Sequence, residues 1–225
     1  GERFQIGTSL QLPSQLRDRN ASFQARLPSH PSFDNAEIQG DTMEMRVRIP
    51  YFARLGLRYF APRFDVELAI VYEPWSSLEN IEISPNDVEL HGVPTIGSIP
   101  MQSQTLPQQF QNTVSIRLGG DYRLHESWTL RGGYIFEPTA VPDEGASVFA
   151  ADATKHVFAV GGTRRFDRLS LDALLSYVHM MDRDISGSKV YQINPHDDDL
   201  RLVVGNGTYN SHYVLVGLGL NYRFD

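Results

Sequence analysis

The sequence predicts an all-β fold, an antiparallel transmembrane β-barrel contributing about eight strands in this chain. Apolar and polar residues alternate with period two over long stretches. The connections between those stretches are alternately very short and very long, and aromatic residues collect near strand ends.

In chain order, Phe4, Ile6, Leu10 and Leu12 read as a first strand. Tyr51, Ala53, Leu55, Leu57 and Tyr59 then alternate with Arg54, Gly56 and Arg58. Phe64, Val66, Leu68, Ile70 and Tyr72 alternate with Asp65, Glu67, Ala69 and Glu73. Val114, Ile116, Leu118, Gly120, Tyr122 and Leu124 alternate with a face that holds Arg117, Asp121 and Arg123. Trp128, Leu130, Gly132, Tyr134 and Phe136 alternate with Thr129, Arg131 and Gly133. Phe158, Val160, Gly162 and Phe166 give a further strand, with Arg164 on its apolar face near one end. Leu169, Leu171, Ala173, Leu175 and Tyr177 read as its partner. The last strand puts Val214, Val216, Leu218, Leu220, Tyr222 and Phe224 on one side and Leu215, Gly217, Gly219, Asn221 and Arg223 on the other.

Three connections are short, at 61–63, 125–127 and 167–168. Four are long, at 13–46, 76–111, 138–155 and 181–211. Turn residues predict a hairpin in two of the long ones. Pro85-Asn86-Asp87 would join Ile81–Ile83 to Val88–Leu90, and Gly205-Asn206-Gly207 would join Leu202–Val204 to Tyr209. No composition shift marks a boundary, so residues 1–225 read as a single domain, one outer-membrane barrel segment.

Composition narrows the function. The chain is 41 % hydrophobic and 21 % charged, too apolar for a disordered segment. Its net charge of -7 with no basic patch argues against nucleic acid as a partner. Cysteine is absent, which excludes disulfides and thiolate metal sites. The longest apolar runs, such as Val214–Leu220, are far shorter than a membrane helix needs. The chain begins at Gly1 rather than Met, as expected of a mature or truncated chain.

A soluble lipocalin-like barrel also alternates, with its apolar face inward. The polar faces, the aromatic positions and the unequal loops favour the membrane over that alternative. The polar faces hold Arg54, Arg58, Asp65, Glu67, Arg117, Asp121 and Arg131, charges of both signs that can pair across a wet lumen. Tyr59, Phe64, Tyr122, Trp128, Phe166, Tyr222 and Phe224 resemble a girdle at the lipid–water boundary. An Arg facing lipid at mid-depth costs about 2–4 kcal/mol. Inverting the strand at 113–124 would expose Arg117, Asp121 and Arg123 together, so its Val/Ile/Leu face should meet lipid. By the convention for such barrels the short turns are periplasmic, the long loops are extracellular, and an even strand count leaves both termini in the periplasm.

Four phrases carry a family resemblance. They are Leu55-Gly56-Leu57-Arg58-Tyr59 followed by Val71-Tyr72-Glu73-Pro74-Trp75-Ser76; Ile116 to Tyr122; Trp128 to Tyr134 with Pro138 and Val141-Pro142-Asp143; and Leu218 to Phe224. In this order and spacing the chain resembles the C-terminal half of the FadL/TodX (OMPP1) outer-membrane transporters. These carry long-chain fatty acids and other hydrophobic compounds into Gram-negative bacteria. The resemblance implies a segment of a larger, fourteen-stranded barrel, and passive uptake in which a hydrophobic ligand leaves sideways into the membrane. It implies no cofactor and no enzymatic activity. Family members also have an N-terminal hatch and a kinked early strand, which this chain lacks, so their ligand contacts do not carry over. Thr139-Ala140 replaces the usual Ser-Pro, and Asp225 follows the terminal aromatic Phe224.

Val93, Ile96, Ile99, Met101, Leu106 and Phe110 in the second long loop could capture a ligand or pack loop against loop. Arg117, Asp121, Arg131 and Glu67 could form a selectivity constriction or carboxylate site, although a structural ion-pair network is the preferred reading. The seven histidines show no ligand spacing, so no metal site is expected. His196 beside Asp197, Asp198 and Asp199 reads as a solvated acidic loop. Ser176 and His179 fall on opposite strand faces, which argues against a hydrolase pair. The expected surroundings are outer-membrane lipid and lipopolysaccharide. A rival reading is a non-transport barrel that anchors or scaffolds other envelope proteins.

Overall fold

The computed structural model describes residues 3–24, 27, 33–93, 97–148, 150–191 and 202–224. Among the described residues it contains fifteen strands and no α-helix. Two compact units emerge. One comprises Gly1–Leu12, Tyr51–Trp75 and Gln109–Asp225, and the other Pro13–Pro50 and Ser76–Gln108.

The larger unit is one antiparallel sheet of eight strands, formed where the alternation predicts them. They are β1 (Phe4–Gln11), β5 (Phe52–Phe60), β6 (Phe64–Glu73), β11 (Thr113–His125), β12 (Trp128–Glu137), β13 (Lys155–Phe166), β14 (Leu169–Ile185) and β15 (Gly207–Tyr222), neighbours in that order. The sheet is open, with β1 and β15 as its edges. The short turns hold tight hairpins. Asp167, in the two-residue turn between β13 and β14, takes a φ of 46°, which Asp tolerates better than most residues.

The apolar face of this sheet is exposed along its strands. Leu218 is 85 % exposed and Val216 72 %, and Leu55, Leu68, Ile116, Leu130, Val160 and Leu175 are all exposed. Monomeric soluble proteins rarely expose more than a few hundred Å² of contiguous apolar surface. A row of such residues on every strand is the surface that a lipid-facing wall requires. Aromatic pairs edge it at the short-turn end. Phe4 and Tyr59 lie 4.9 Å apart, Tyr59 and Phe64 5.6 Å, and Tyr222 and Phe224 4.9 Å. Arg164 is accommodated there because its guanidinium lies 4.7 Å over Trp128 and 5.1 Å over Phe166.

The long connections are more structured than predicted. The first contains β2 (Ser14–Ser22), β3 (Glu37–Gln39) and β4 (Thr42–Ile49). The second contains β7 (Asn80–Pro85), β8 (Glu89–Val93), β9 (Gly97–Pro100) and β10 (Gln104–Pro107). These build the smaller unit as a four-stranded sheet, order β10-β7-β4-β2, and a three-stranded sheet, order β3-β8-β9. The predicted hairpin across Pro85-Asn86-Asp87 does not form. The turn is present, with Asp87 at a φ of 49°, but β7 pairs with β4 and β10 while β8 pairs with β3 and β9. The second predicted hairpin also fails. Val203 bridges to Tyr191, and Gly207 instead opens β15, which pairs with β14 as far as Ile185. The wall strands therefore run past the limits set at 181 and 211.

At the long-loop end of the larger unit, Val141, Ala146 and Ile185 form a small buried cluster, packed by Phe110, Ala150 and Tyr209. Ser188 Oγ donates to the Ala146 carbonyl at 2.8 Å, and this close approach leaves no room for a side chain at Gly205.

Candidate functional site: the charged face of the sheet

Because successive side chains of a strand point to opposite faces, the residues between the lipid-facing ones all project to the other side. There the structure shows a concavity of about 690 Å³. All seven charged residues read from the sequence line it: Arg54, Arg58, Asp65, Glu67, Arg117, Asp121 and Arg131. They come from β5, β6, β11 and β12.

Their geometry is a ladder of cross-strand pairs. Arg58 on β5 donates through Nε to Asp65 on β6 at 2.7 Å and through Nη1 to Gln5 on β1 at 3.3 Å. Arg54 reaches Gln11 on β1 at 3.3 Å. Arg117 lies 3.8 Å from Glu73, and its Nε has no hydrogen-bond partner. Asp121 stands opposite Arg131 in the β11–β12 register. Arg131 donates to Thr163 at 2.5 Å, Thr163 donates to Asp172, and Asn221 donates to Asp172 at 3.0 Å. This second half of the ladder, through Thr163, Asp172 and Asn221, escaped sequence reasoning. Asp172 could have been found, since it alternates with Leu171 and Ala173.

Between the charges the same face is apolar. Ile135, Val157, Ala159 and Leu174 line the concavity together with Gly119, Gly133 and Gly161. The site is thus amphipathic, with an apolar patch next to paired charges.

A second concavity of about 270 Å³ opens at the long-loop end, lined among others by Thr139, Asp143, Thr154 and Arg183. Arg183 is largely buried. It donates to Asp143 and to the Asp152 carbonyl, each at 2.6 Å. The Asp152 carboxylate accepts from Thr139 Oγ1 at 2.9 Å and the Ala140 N–H at 3.0 Å, and pairs with Lys155 at 2.9 Å. Burial pushes this carboxyl up, but the Lys155 ammonium and these hydrogen bonds outweigh it and hold it below the usual carboxylate value. None of these loop residues carried a sequence signal beyond the Val141-Pro142-Asp143 phrase.

The apolar residues of the second long connection are distributed over several elements. Val93 ends β8 and is buried, and Ile99 sits in β9 opposite Leu90. Met101 is exposed just beyond β9, and Leu106 sits in β10 opposite Ile81. Phe110 packs in the larger unit, 6.4 Å from Trp75. Ile96 lies outside the described residues, as do His196 and Asp197 to Asp199. Ser176 and His179 occupy opposite faces of β14, where His179 stacks on Tyr177.

An open antiparallel sheet with one lipid-exposed face and one charged, concave face defines a wall segment of a β-barrel membrane protein. The chain belongs to the outer membrane protein transport protein family (OMPP1/FadL/TodX), whose model matches residues 15–224. Outer membrane protein P1 of Haemophilus influenzae is 24 % identical over 187 residues, which cover 82 % of this chain and 38 % of that protein. The long-chain fatty acid transport protein of Salmonella typhi is 26 % identical over 125 residues, 55 % of this chain and 26 % of that one. The chain therefore spans well under half the length of these relatives. A Pseudomonas aeruginosa FadL homologue of known structure aligns with a TM-score of 0.67 at 17 % identity, over 99 % of this chain and 49 % of that one. The TodX deltaS2S3 mutant, a monoaromatic hydrocarbon channel, aligns with a TM-score of 0.58 at 19 % identity, over 99 % of this chain and 46 % of that one.

Proposed function

We propose that this chain forms part of the wall of an outer-membrane barrel that admits hydrophobic molecules, such as long-chain fatty acids, by passive lateral diffusion. The long loops lie outside the cell and both termini lie in the periplasm. Family membership and the names of the relatives support the transport reading.

The observation that carries the mechanism is the amphipathic concavity. A ligand resting on Ile135 and Val157, in the register row of Arg117, has the Arg58–Asp65 and Arg131–Asp172 pairs on its short-turn side. Moving an alkyl chain onward past them would strip water from charges, at several kcal/mol per ion. Leaving sideways between strands avoids that barrier. The seven charged residues act in this reading as a polar floor. Exposed Met101, with half-buried Ile99 and Leu106, offers apolar surface for first capture.

The test uses the full-length protein that carries this chain, expressed in cells with no other uptake route for a labelled long-chain fatty acid. Saturable uptake that persists when the proton gradient is collapsed is the expected result. Ile135→Asp should lower it about tenfold or more while leaving the barrel folded, since a charge on this face is tolerated. A folded barrel that neither binds nor admits the fatty acid would sink the proposal and favour a scaffold role.

A further inference from the structure

The apolar face carries one polar row that the transport reading does not use. Register aligns His156 on β13 with His179 on β14, and His179 with His212 on β15. Adjacent strands are about 4.8 Å apart, so three imidazoles stand side by side over about 10 Å. The next row toward mid-sheet is Tyr134, Phe158 and Tyr177, directly paired in register. The imidazoles pack on those rings. His156 lies 6.1 Å from Tyr134 and 5.3 Å from Phe136, and Tyr177 lies 6.4 Å from His179 and 6.2 Å from His212. The Tyr134 hydroxyl holds His156 Nδ1 at 2.8 Å, and His179 and His212 are exposed.

The row sits at a defined depth. Phe166 of the girdle at the short-turn end lies ten positions along β13 from His156. At about 3.3 Å per residue and a tilt of about 40°, that is roughly 25 Å along the membrane normal, the height of the apolar band of such barrels. The histidines therefore stand at the opposite boundary, level with lipid head groups. An imidazole keeps an N–H donor whether neutral or protonated. Just beyond the row, Asp182 is engaged by the Asn210 side chain at 2.6 Å.

We propose that His156, His179 and His212 form a contact row for the phosphate groups of outer-leaflet lipopolysaccharide. The row fixes the barrel's height and rotation against that leaflet. This rests on the orientation given under the proposed function, in which the long-loop end is extracellular.

The experiment takes the full-length protein in mild detergent, offers it diphosphoryl lipid A or its dephosphorylated form, and counts retained lipid by native mass spectrometry. The wild type should prefer the phosphorylated lipid by about tenfold, the scale of one charge-assisted hydrogen bond. The triple variant H156L/H179L/H212L should bring the ratio near one. Equal retention of both lipids by the wild type, or an undiminished preference in the variant, overturns the proposal. A preference abolished by EDTA and restored by zinc would assign the row to a metal and also overturn it. If the triple variant does not fold, His179→Leu at the centre of the row serves alone, and an unchanged ratio there is equally fatal. Orientation is read separately. Gly187→Cys is the only thiol of this cysteine-free chain, and an impermeant maleimide should label it on intact cells. Failure to label refutes the orientation while the lipid ratio still judges the phosphate row.

Discussion

Gly132 and Gly133 are neighbours on β12 that face opposite sides, and both are sterically open. A Cβ on Gly132 would come no nearer than 3.9 Å to the Ala159 carbonyl, and one on Gly133 no nearer than 3.5 Å to the Leu118 carbonyl. A Cβ is therefore accommodated at either position, and the two side chains project to opposite faces. Gly132 lies in the apolar row with Gly120 and Val160, midway between Trp128 and Phe136, near the centre of the band. Gly132→Arg should destabilise the folded barrel by about 2–4 kcal/mol. That corresponds to a shift of about 30- to 900-fold in the folding equilibrium. Gly133 alternates with Gly132 and shares the face of Arg131 and Ile135, so Gly133→Arg should change stability by less than about 1 kcal/mol. Urea titration of the full-length protein refolded in phospholipid vesicles measures both. Heat-resistant gel mobility after expression checks outer-membrane assembly. Equal losses for the two variants, or a larger loss for Gly133→Arg, would refute the assignment of the faces.

Three further outcomes follow from the same geometry. Arg164→Leu should shift stability by less than about 1 kcal/mol in the same titration, because Arg164 sits at the boundary over Trp128 and Phe166; a gain of several kcal/mol would place it deep in lipid. Gly205→Ala should destabilise the loop cluster by about 1–3 kcal/mol, since its Cβ would fall 1.9 Å from the Ala146 carbonyl; faster proteolysis within 138–154 reports it. The Asp152 carboxyl is lowered on folding, so its contribution is fully present above the unfolded value of about 3.9 and is lost as pH falls through the folded value. The protection of the Ala140 amide, its exchange rate relative to the intrinsic rate at the same pH, should therefore be high at pH 5 and fall only in stronger acid, and Asp152→Asn should make that protection lower and insensitive to pH over that range.

The eight wall strands were legible because each separates two solvents over eight residues or more, which writes a period of two into the sequence. The seven charged residues of the concavity were legible for the same reason. The smaller unit was not. Its β3, β8, β9 and β10 run only three to five residues, too short for alternation to show. Asn86-Asp87 correctly marked a turn, but a turn does not choose partners, and both flanking strands paired elsewhere. The Asp152–Lys155–Arg183 loop network and the crowding at Gly205 arise from segments far apart in sequence. The histidine row is hidden differently. His156, His179 and His212 have no mutual spacing that suggests a site, and only the two hairpin registers bring them level.

The glycines of the charged face explain how that face tolerates its charges. Gly56 stands where a Cβ would lie 3.2 Å from Glu67 Oε1, and Gly219 where one would lie 3.3 Å from the Asp172 Cβ. Gly161 faces Arg131 across the β12–β13 pair, and Gly119 faces Glu67 across β6–β11. A charged side chain is thus repeatedly set against a residue with none, which leaves room for it to lie over the neighbouring strand. Solvated pairs of this kind contribute about 0–1 kcal/mol each, so the ladder is a weak source of stability. Its stronger effect is on what can lie in the concavity. An apolar molecule is stabilised against Ile135, Val157 and Leu174 and penalised wherever it covers Arg58, Asp65 or Arg131. In the proposed transport reading, the same pairs that add little to folding would bear on the direction in which a bound hydrophobic ligand leaves.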